Sequence, residues 1–240
     1  MISRRIFLAI GSGALLMPRK LFAADVVAKV PSMLDHILLG CSHLDQGIAF
    51  VEQHTGVRPA IGGVHPGRGT RNALLSLGEL HYLEVIAPDP AQAGAEITRP
   101  AMLNKVKALT APRIIDWAVH TDDINGAAER LRKAGIAFQG PLPGSRKRPD
   151  GKMLNWQTLN LEDDYDGLLP FFIQWGAGSV HPSVDAPSGC RLESFAVADF
   201  KHAELASVFR KLEIEVDVEK TERPRIFALI IGPRGKLDLR

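Results

Sequence analysis

The chain has few cysteines, few aromatic residues and little net charge, and each shortage excludes a class of protein. Two cysteines among 240 residues, Cys41 and Cys190, do not make a disulfide framework, although a single bond between them stays open. Aromatic residues make up 6% of the chain, and the formal net charge is +2. So small a charge gives no support for nucleic-acid binding, which needs a clustered basic face.

Several catalytic signatures are also missing. The sequence has no Gly-x-Ser-x-Gly elbow, no phosphate-binding loop and no dinucleotide-binding fingerprint. No apolar run is long enough to span a bilayer, so no stable membrane span is expected once the N-terminal signal has been removed. The apolar content of 45% is nevertheless sufficient for a substantial buried core. A folded domain with a different chemistry is therefore expected.

The first 24 residues have the pattern of an export signal. Ser3, Arg4 and Arg5 precede a short apolar stretch, and small residues end the segment where a signal peptidase could cut. The paired arginines resemble the twin-arginine signal of bacteria, with a Sec-type signal as the alternative. Removing residues 1–24 takes away four basic residues and no acid, so the net charge changes from +2 to −2. We therefore expect a periplasmic protein.

A strand-like run at residues 34–40 recurs twice along the chain. Its acid, Asp35, is matched by Asp116 and more weakly by Glu193, each before a helical pattern. Further strand patterns follow each copy and give the order β-α-β-β-β. The predicted domains are 33–176, made of modules 33–90 and 113–176, and a third, partial module at 190–240 packed on or continuing the same domain. We expect an α+β fold whose paired modules form a curved mixed sheet around a cleft.

Four segments resemble the glyoxalase-like branch of the vicinal oxygen chelate superfamily. They read LDHI at 34–37, HPGRGTRNALL at 65–75, YLEVIAP at 82–88 and PFFIQWG at 170–176. The resemblance implies a metal-lined cleft, with ligands from the first and last strands of each module. The superfamily includes glyoxalase I, extradiol dioxygenases, epimerases and antibiotic-resistance proteins, so the fold is indicated far better than the reaction.

The resemblance implies His36 and Glu84 as metal ligands in the first module. In the second module Trp117 stands where His36 stands, and Gln174 stands where Glu84 stands. Tryptophan cannot ligate a metal, and glutamine is a weak donor. The implied cofactor is a divalent metal (Zn, Ni, Mn or Fe) held by His36, Glu84 and Gln174, with Glu84 doubling as the catalytic base. The alternative is a hydrogen-bonded pair of His36 and Glu84 without a metal.

The other candidate residues are predicted to bind the substrate. Arg68, Arg71 and Asn72 lie in a Gly-rich stretch that suits an anion, or that is simply a wide hairpin connection. Trp117 and Phe172 would give the cleft an aromatic surface, although core packing is the default explanation for aromatic residues in strands. The basic run at 146–148 is interpreted as a solvated turn.

Two functions follow from these residues. The first is an exported, metal-dependent lyase, isomerase or dioxygenase-type enzyme that acts on a small oxygen-chelating substrate. The alternative is a metal-free protein that binds or sequesters a small molecule in the same cleft. Both functions have a small-molecule partner, and neither involves nucleic acid. The sequence gives no indication of the oligomeric state.

Overall fold

A computed structural model describes residues 28–98, 100–148 and 150–240, so the predicted signal at 1–24 lies outside the described residues. Its helices and strands are, in chain order, β1 (Leu34–Gly40), α1 (Leu44–Thr55), β2 (Ala60–His65), β3 (Thr70–Ser76), β4 (Tyr82–Pro88), a 3₁₀ turn (Pro90–Gln92), α2 (Pro100–Lys107), β5 (Arg113–His120), α3 (Ile124–Lys133), β6 (Phe138–Lys147), β7 (Met153–Leu161), β8 (Phe171–Trp175), α4 (Pro182–Asp185), β9 (Arg191–Asp199), α5 (His202–Lys211), β10 (Asp217–Lys220), β11 (Arg225–Gly232) and β12 (Gly235–Leu239). Across the part of the chain described, no helix combines the length and the hydropathy that a membrane crossing needs.

Strands β1 to β8 form one curved mixed sheet in the order β2-β3-β4-β1-β5-β8-β7-β6. Within the first module β1 pairs in parallel with β4, and within the second β5 pairs in parallel with β8. The remaining pairs within each module are antiparallel. The two modules meet where β1 and β5 run antiparallel to each other. The predicted α+β class, with paired modules forming a curved mixed sheet, is confirmed.

Helix α1 forms where the sequence predicts it. Leu44, Ile48 and Val51 recur at helical spacing, and all three are buried in the core that the helix shares with the large sheet. Gly56 ends the helix with a φ of 82°, a conformation that glycine adopts without strain, and its N–H donates to the Glu52 carbonyl. The helix therefore covers one face of the sheet and leaves the opposite face for a site.

The third unit forms a separate four-stranded sheet in the order β10-β9-β11-β12. Its first strand, β9, pairs in parallel with β10, the strand directly after α5, whereas the first strand of each module pairs with the last. The unit therefore shares the order of elements with the modules but not their strand order. Phe195 of β9 packs on Trp117 of the large sheet, and Arg234 donates its backbone N–H to Thr55 of α1. Helix α1 is thus covered by a second sheet.

Both cysteines are buried and carry free thiols. Burial raises the pKa of the Cys41 thiol to about 11, so that this side chain stays protonated at neutral pH. The disulfide that the sequence left open is not formed in this structure, and neither thiol has the low pKa of a catalytic nucleophile.

Candidate active site

A cleft of about 890 Å³ lies on the face of the large sheet opposite α1. Side chains from both modules line it, and α2 with the residues that follow it closes one end through Met102 and Leu109. A small apolar cluster containing Leu38, Leu103 and Ile115 holds α2 against the sheet. The cleft is therefore large enough for a small organic molecule and is shielded from solvent at one end.

A β-bulge in β1 creates the central feature of the cleft. Leu34 pairs with Val119 and His36 pairs with Ala118, so that Asp35 is an extra residue on its strand. The bulge brings the Asp35 carboxylate beside the ring of His36, with Oδ1 of Asp35 2.6 Å from Nδ1 of His36. Simple alternation along the strand would have placed these side chains on opposite faces.

The ring of His36 has a fixed orientation. Nδ1 donates to the carboxylate of Asp35, which leaves Nε2 facing the cleft. Tyr82 stacks on the ring with centroids 4.5 Å apart and planes 18° apart, and Phe171 meets it edge-on with centroids 5.5 Å apart. Nε2 lies 3.5 Å from Oε2 of Glu84. The ring nitrogen of His36 that is left for the cleft therefore faces a carboxylate oxygen of Glu84.

Glu84 is buried, and polar side chains of the first module contact it. Nδ2 of Asn72 donates to Oε1 of Glu84 at 2.7 Å, and the same nitrogen lies 3.2 Å from Nε2 of His65. Because an amide nitrogen can only donate, Nε2 of His65 accepts and its Nδ1 carries the hydrogen that bonds Thr70 at 2.9 Å. Burial lowers the pKa of His65 to about 4, so that its ring is neutral at pH 7. Oδ1 of Asn72 is buried and has no hydrogen-bond partner among the described residues.

Asp35 receives hydrogen bonds from four side chains. Oδ1 of Asp35 bonds His36, as described above. Oδ2 of Asp35 lies 2.9 Å from Nε1 of Trp175 and 3.3 Å from both Nδ1 of His120 and Nε2 of His181. Burial opposes ionisation, but the bonds from the three histidines hold the pKa of Asp35 well below 3.8. The bond to Asp35 is the largest influence on His120 and raises its pKa to about 9. An ionised carboxylate therefore lies behind His36 at neutral pH.

The second module places different residues at the corresponding positions. Ile37 of β1 pairs with Trp117 of β5 and is taken as its counterpart. The residues one position before them then also correspond, so that Asp116 is the counterpart of His36. Glu84 pairs with Leu38 and Phe171 with Ala118, which makes Phe171 the counterpart of Glu84. Both Asp116 and Phe171 line the cleft. Burial raises the pKa of Asp116 to about 7, because the cleft desolvates its carboxyl group.

Two aromatic residues predicted to line the cleft lie in the core instead. Trp117 and Phe172 face the helices, where Trp117 packs on Phe195 and donates its indole N–H to the Leu168 carbonyl. In the first strand of the second module the sequence alignment was shifted by one residue, from Asp116 to Trp117, and one residue along a strand changes the face. The aromatic side chains that do line the cleft are those of Tyr82, Trp156, Phe171 and Trp175.

Gln174 and Arg71 also lie outside the cleft lining. The side chain of Gln174 accepts from the backbone N–H of Ile124 and donates to the Asp122 carbonyl, so it holds the start of α3. Arg71 alternates with Thr70 and Asn72, whose side chains line the cleft. The placement of Gln174 and Arg71 within the site is therefore corrected, whereas His36, Glu84, Asn72 and Arg68 do line the cleft. The chemical roles of these four residues stay predictions.

Arg146 is a cleft residue that the sequence analysis missed. Its side chain is only 4% exposed, lines the cleft and donates through Nη1 to the Gly62 carbonyl. Its place between Ser145 and Lys147 in a basic run gave the appearance of a solvated turn. The alternation of strand β6 could have indicated it, because Ser145 and Lys147 are exposed while Arg146 is buried.

Comparison with known families identifies the fold. Residues 34–213 match the family described as Glyoxalase-like domain. The chain belongs to this family. A comparison of the glyoxalase-like chain with curated proteins gives no match.

Several solved structures are similar to this glyoxalase-like protein. A hypothetical protein from Staphylococcus aureus matches with a TM-score of 0.60 and 18% identity, over 86% of this chain and 85% of that chain. Methylmalonyl-CoA epimerase from Mycobacterium tuberculosis matches with a TM-score of 0.41 and 19% identity, over 65% of this chain and 92% of that chain. The Streptomyces coelicolor epimerase in complex with 2-nitronate-propionyl-CoA matches with a TM-score of 0.44 and 21% identity, over 62% of this chain and 100% of that chain.

Glyoxalase-like proteins often use a divalent metal, which the resemblance places between ligands from both modules. Here the first module supplies His36 and Glu84, but the second supplies Asp116 and Phe171, and a phenyl ring has no donor atom. Oε1 of Glu84 already accepts from Asn72. Across the described residues, no three His, Cys, Asp or Glu side chains are grouped so that they could hold a metal ion. The residues present do not fit the implied metal site.

Proposed function

We propose that the cleft binds a small organic molecule and catalyses proton transfer at a carbon next to a carbonyl group, as an isomerase or lyase does. One observation carries the proposal: Asp35 fixes the ring of His36 so that Nε2 faces Glu84 across 3.5 Å. An imidazole oriented by a buried carboxylate is an effective general base, and a neighbouring carboxyl group can share or return the proton.

The proton transfer can be written with the residues of this chain alone. His36 or Glu84 removes the proton from the carbon, and the electron pair of the broken C–H bond moves into the carbonyl, which becomes an enolate. Asp116, with a pKa of about 7, is partly protonated at neutral pH and can donate a hydrogen bond to the enolate oxygen. The shared proton then returns to the same or a neighbouring carbon, so that no oxidant or reductant is consumed.

Two further features support a ligand in this cleft. Oδ1 of Asn72 is buried without a partner among the described residues, and an enol hydroxyl on a ligand can donate to it. Trp156 and Trp175 meet with ring centroids 5.9 Å apart on the cleft surface. Their apolar area suits the flat part of a small molecule and excludes water from the reacting carbon.

The metal-dependent enzyme predicted from the sequence is not part of this proposal, because Phe171 and Gln174 do not complete the ligand set. A metal-free binding or sequestering protein is the second candidate, favoured by the aromatic wall that Trp156, Phe171 and Trp175 give the cleft. Binding without chemistry needs only this wall. Catalysis also needs His36 and Glu84.

Solvent deuterium exchange separates these functions. Protein purified without a nickel-binding tag and treated with EDTA is incubated in deuterium oxide with ketones and 2-oxo acids that carry an enolisable C–H, such as phenylpyruvate and 2-oxobutanoate. We expect exchange above the spontaneous rate for at least one compound, with His36→Gln and Glu84→Gln each at least about 100-fold slower. The control is His43→Gln, since His43 is exposed and outside the cleft lining.

Each remaining outcome has a defined meaning. Exchange that disappears with EDTA and returns with Zn, Ni, Mn or Fe contradicts the metal-free mechanism. Ligand binding by tryptophan fluorescence with no exchange for any compound favours the sequestering protein. Equal rates in wild type and in both cleft variants place the chemistry elsewhere.

We also propose that the chain is exported to the periplasm. The support is the signal-like segment with Arg4 and Arg5, which lies outside the described residues. The double variant Arg4→Lys, Arg5→Lys removes the twin-arginine pair and keeps both charges. Cell fractionation should then show uncut precursor in the cytoplasm. Mature protein that still reaches the periplasm would show that the export is not of the twin-arginine type.

A further inference from the structure

We propose that Arg146 binds a carboxylate of the ligand, so that the cleft takes small organic acids with a flat apolar group. The inference rests on the proposed function in one respect, that the cleft holds the reacting molecule. Arg146 is assigned because its cation is buried at the cleft and no carboxylate among the described residues forms an ion pair with it.

The burial of Arg146 calls for an anion. Arg146 is 4% exposed, and its one hydrogen bond among the described residues goes to the Gly62 carbonyl. Among the described residues no carboxylate lies within ion-pair distance of it, and the charge of Glu84 acts on it only from farther away, where it partly offsets the effect of burial on its pKa. Burial accordingly lowers the pKa of Arg146. A buried guanidinium without a counter-ion is costly, and its planar fork of N–H donors matches a carboxylate.

Two glycines hold Arg146 in position. The side chain reaches from β6 to the edge of β2, the two outermost strands of the large sheet. A Cβ atom at Gly63 would lie 3.4 Å from Nη1 of Arg146 and 2.9 Å from the Lys147 carbonyl oxygen, and the φ of Gly63 is 150°. Only glycine leaves room for so close an approach of the backbone. The Gly62-Gly63 pair therefore forms part of the binding site for the guanidinium.

A second cation lies at the same end of the cleft. The charges of Arg68 and Arg146 both reach His65, where they add to the effect of burial and lower its pKa. His65 is therefore neutral, and the positive charges at this end of the cleft attract a ligand that carries a negative charge.

The aromatic side chains define the rest of the ligand. Trp156 lies against Gly144, where an added Cβ atom would come within 2.3 Å of its Nε1, and Trp175 meets it edge-on. These two rings line the same cleft as Arg146. A carboxylate on Arg146 and a ring on these tryptophans leave the carbonyl carbon between them, toward His36 and Glu84. This is the arrangement of an aromatic 2-oxo acid.

The test compares an acid with its neutral counterpart. Benzoylformate has the carboxylate, the carbonyl and the ring but no enolisable C–H, so binding is read without turnover. Benzoylformamide replaces only the carboxylate. Titrations followed by tryptophan fluorescence should show the acid binding to the wild type at least about 10-fold more tightly than the amide. Similar affinities for the two compounds would overturn the proposal without any variant.

The variants assign the preference to Arg146. Arg146→Gln should weaken benzoylformate binding about 10- to 100-fold and leave the amide unchanged. Lys147→Gln is the matched control, since it removes the same charge from the exposed face of the same strand. Circular dichroism checks folding. If Arg146→Gln does not fold, Arg146→Lys, which keeps the charge but loses the fork, should give an intermediate ratio. Retained acid preference in a folded variant contradicts the proposal.

The outcome is independent of the proposed proton transfer. Acid preference without deuterium exchange for any substrate refutes the chemistry and leaves the role of Arg146 intact. The opposite result is exchange that is equally fast into ketones and into 2-oxo acids, together with equal binding of benzoylformate and benzoylformamide. That result supports the chemistry and refutes the role of Arg146.

Discussion

Asp35 and His36 are adjacent in the sequence, yet their side chains meet on one side of strand β1, with Oδ1 of Asp35 2.6 Å from Nδ1 of His36. The pairing between β1 and β5 explains this, because the register shifts between Leu34 and His36. The bulge converts a buried acid, which would be costly alone, into the group that orients an imidazole toward the cleft.

Replacing Asp35 by Asn should stop the proposed reaction without removing His36. An amide can donate as well as accept, so the ring of His36 is no longer held with Nδ1 protonated and Nε2 bare. We expect deuterium exchange to slow by about 100-fold or more. The matched control is Asp122→Asn, because the exposed carboxylate of Asp122 contacts only Nε2 of His120. If the Asp35→Asn variant exchanged deuterium at the rate of the wild type, His36 would need no such partner.

The stability of the fold should fall as the pH rises above neutrality. The bond to Asp35 raises the pKa of His120 to about 9 in the folded protein, against an ordinary value of 6.5. A raised pKa stabilises the fold fully below pH 6.5, and this contribution is lost as the pH rises through 9. Urea unfolding at pH 6, 7.5 and 9.5 should therefore show the wild type converging on His120→Gln. A constant difference between the two proteins would contradict the assignment.

Trp117 should contribute to stability rather than to ligand binding. Its side chain is fully buried, packs on Phe195 and donates to the Leu168 carbonyl. Trp117→Ala should lower the free energy of unfolding by about 3 to 5 kcal/mol, as expected for a large aromatic side chain removed from a core. Trp117→Phe should leave the fluorescence response to benzoylformate in place, whereas Trp156→Phe should reduce it. A response that disappears with Trp117→Phe would place this residue at the ligand.

Gln174 should act on helix α3 and not on catalysis. Gln174→Ala removes the acceptor for the Ile124 N–H and the donor to the Asp122 carbonyl, which should cost about 1 to 2 kcal/mol of stability. Deuterium exchange should stay within about two-fold of the wild type, because no reacting group is touched. Gln157→Ala, at an exposed position paired with Gln174 on the neighbouring strand, is the control. A large loss of exchange with unchanged stability would restore the predicted role as a ligand.

Much of the fold could be predicted because the sequence follows simple periods. The strand at 34–40 and the helix ending at Gly56 appear where alternation, helical spacing and a terminal glycine indicate them. Four of the residues predicted for the site, His36, Glu84, Asn72 and Arg68, line the cleft, while their roles stay predictions. Their positions depend on local pattern and on the resemblance, and both are visible in the sequence.

The remaining parts of the site depend on strand pairing, which the sequence does not show. A bulge adds one residue to a strand, so neither the common face of Asp35 and His36 nor the match of Asp116 to His36 follows from alternation. Arg146 was missed because its burial results from β6 approaching β2, far away in the sequence. The strand order of the third unit likewise depends on long-range contacts with α1.

The unequal walls of the cleft have a stereochemical consequence. His36 and Glu84 project from the first module, and the second module presents the rings of Trp156, Phe171 and Trp175 together with Asp116, which is assigned to the enolate oxygen and not to the reacting carbon. A flat enolate lying between these walls shows one face to the proton-transferring pair and the other to aromatic carbon. In the proposed reaction the proton therefore leaves and returns on the same face, and the product keeps a single handedness instead of becoming a racemate.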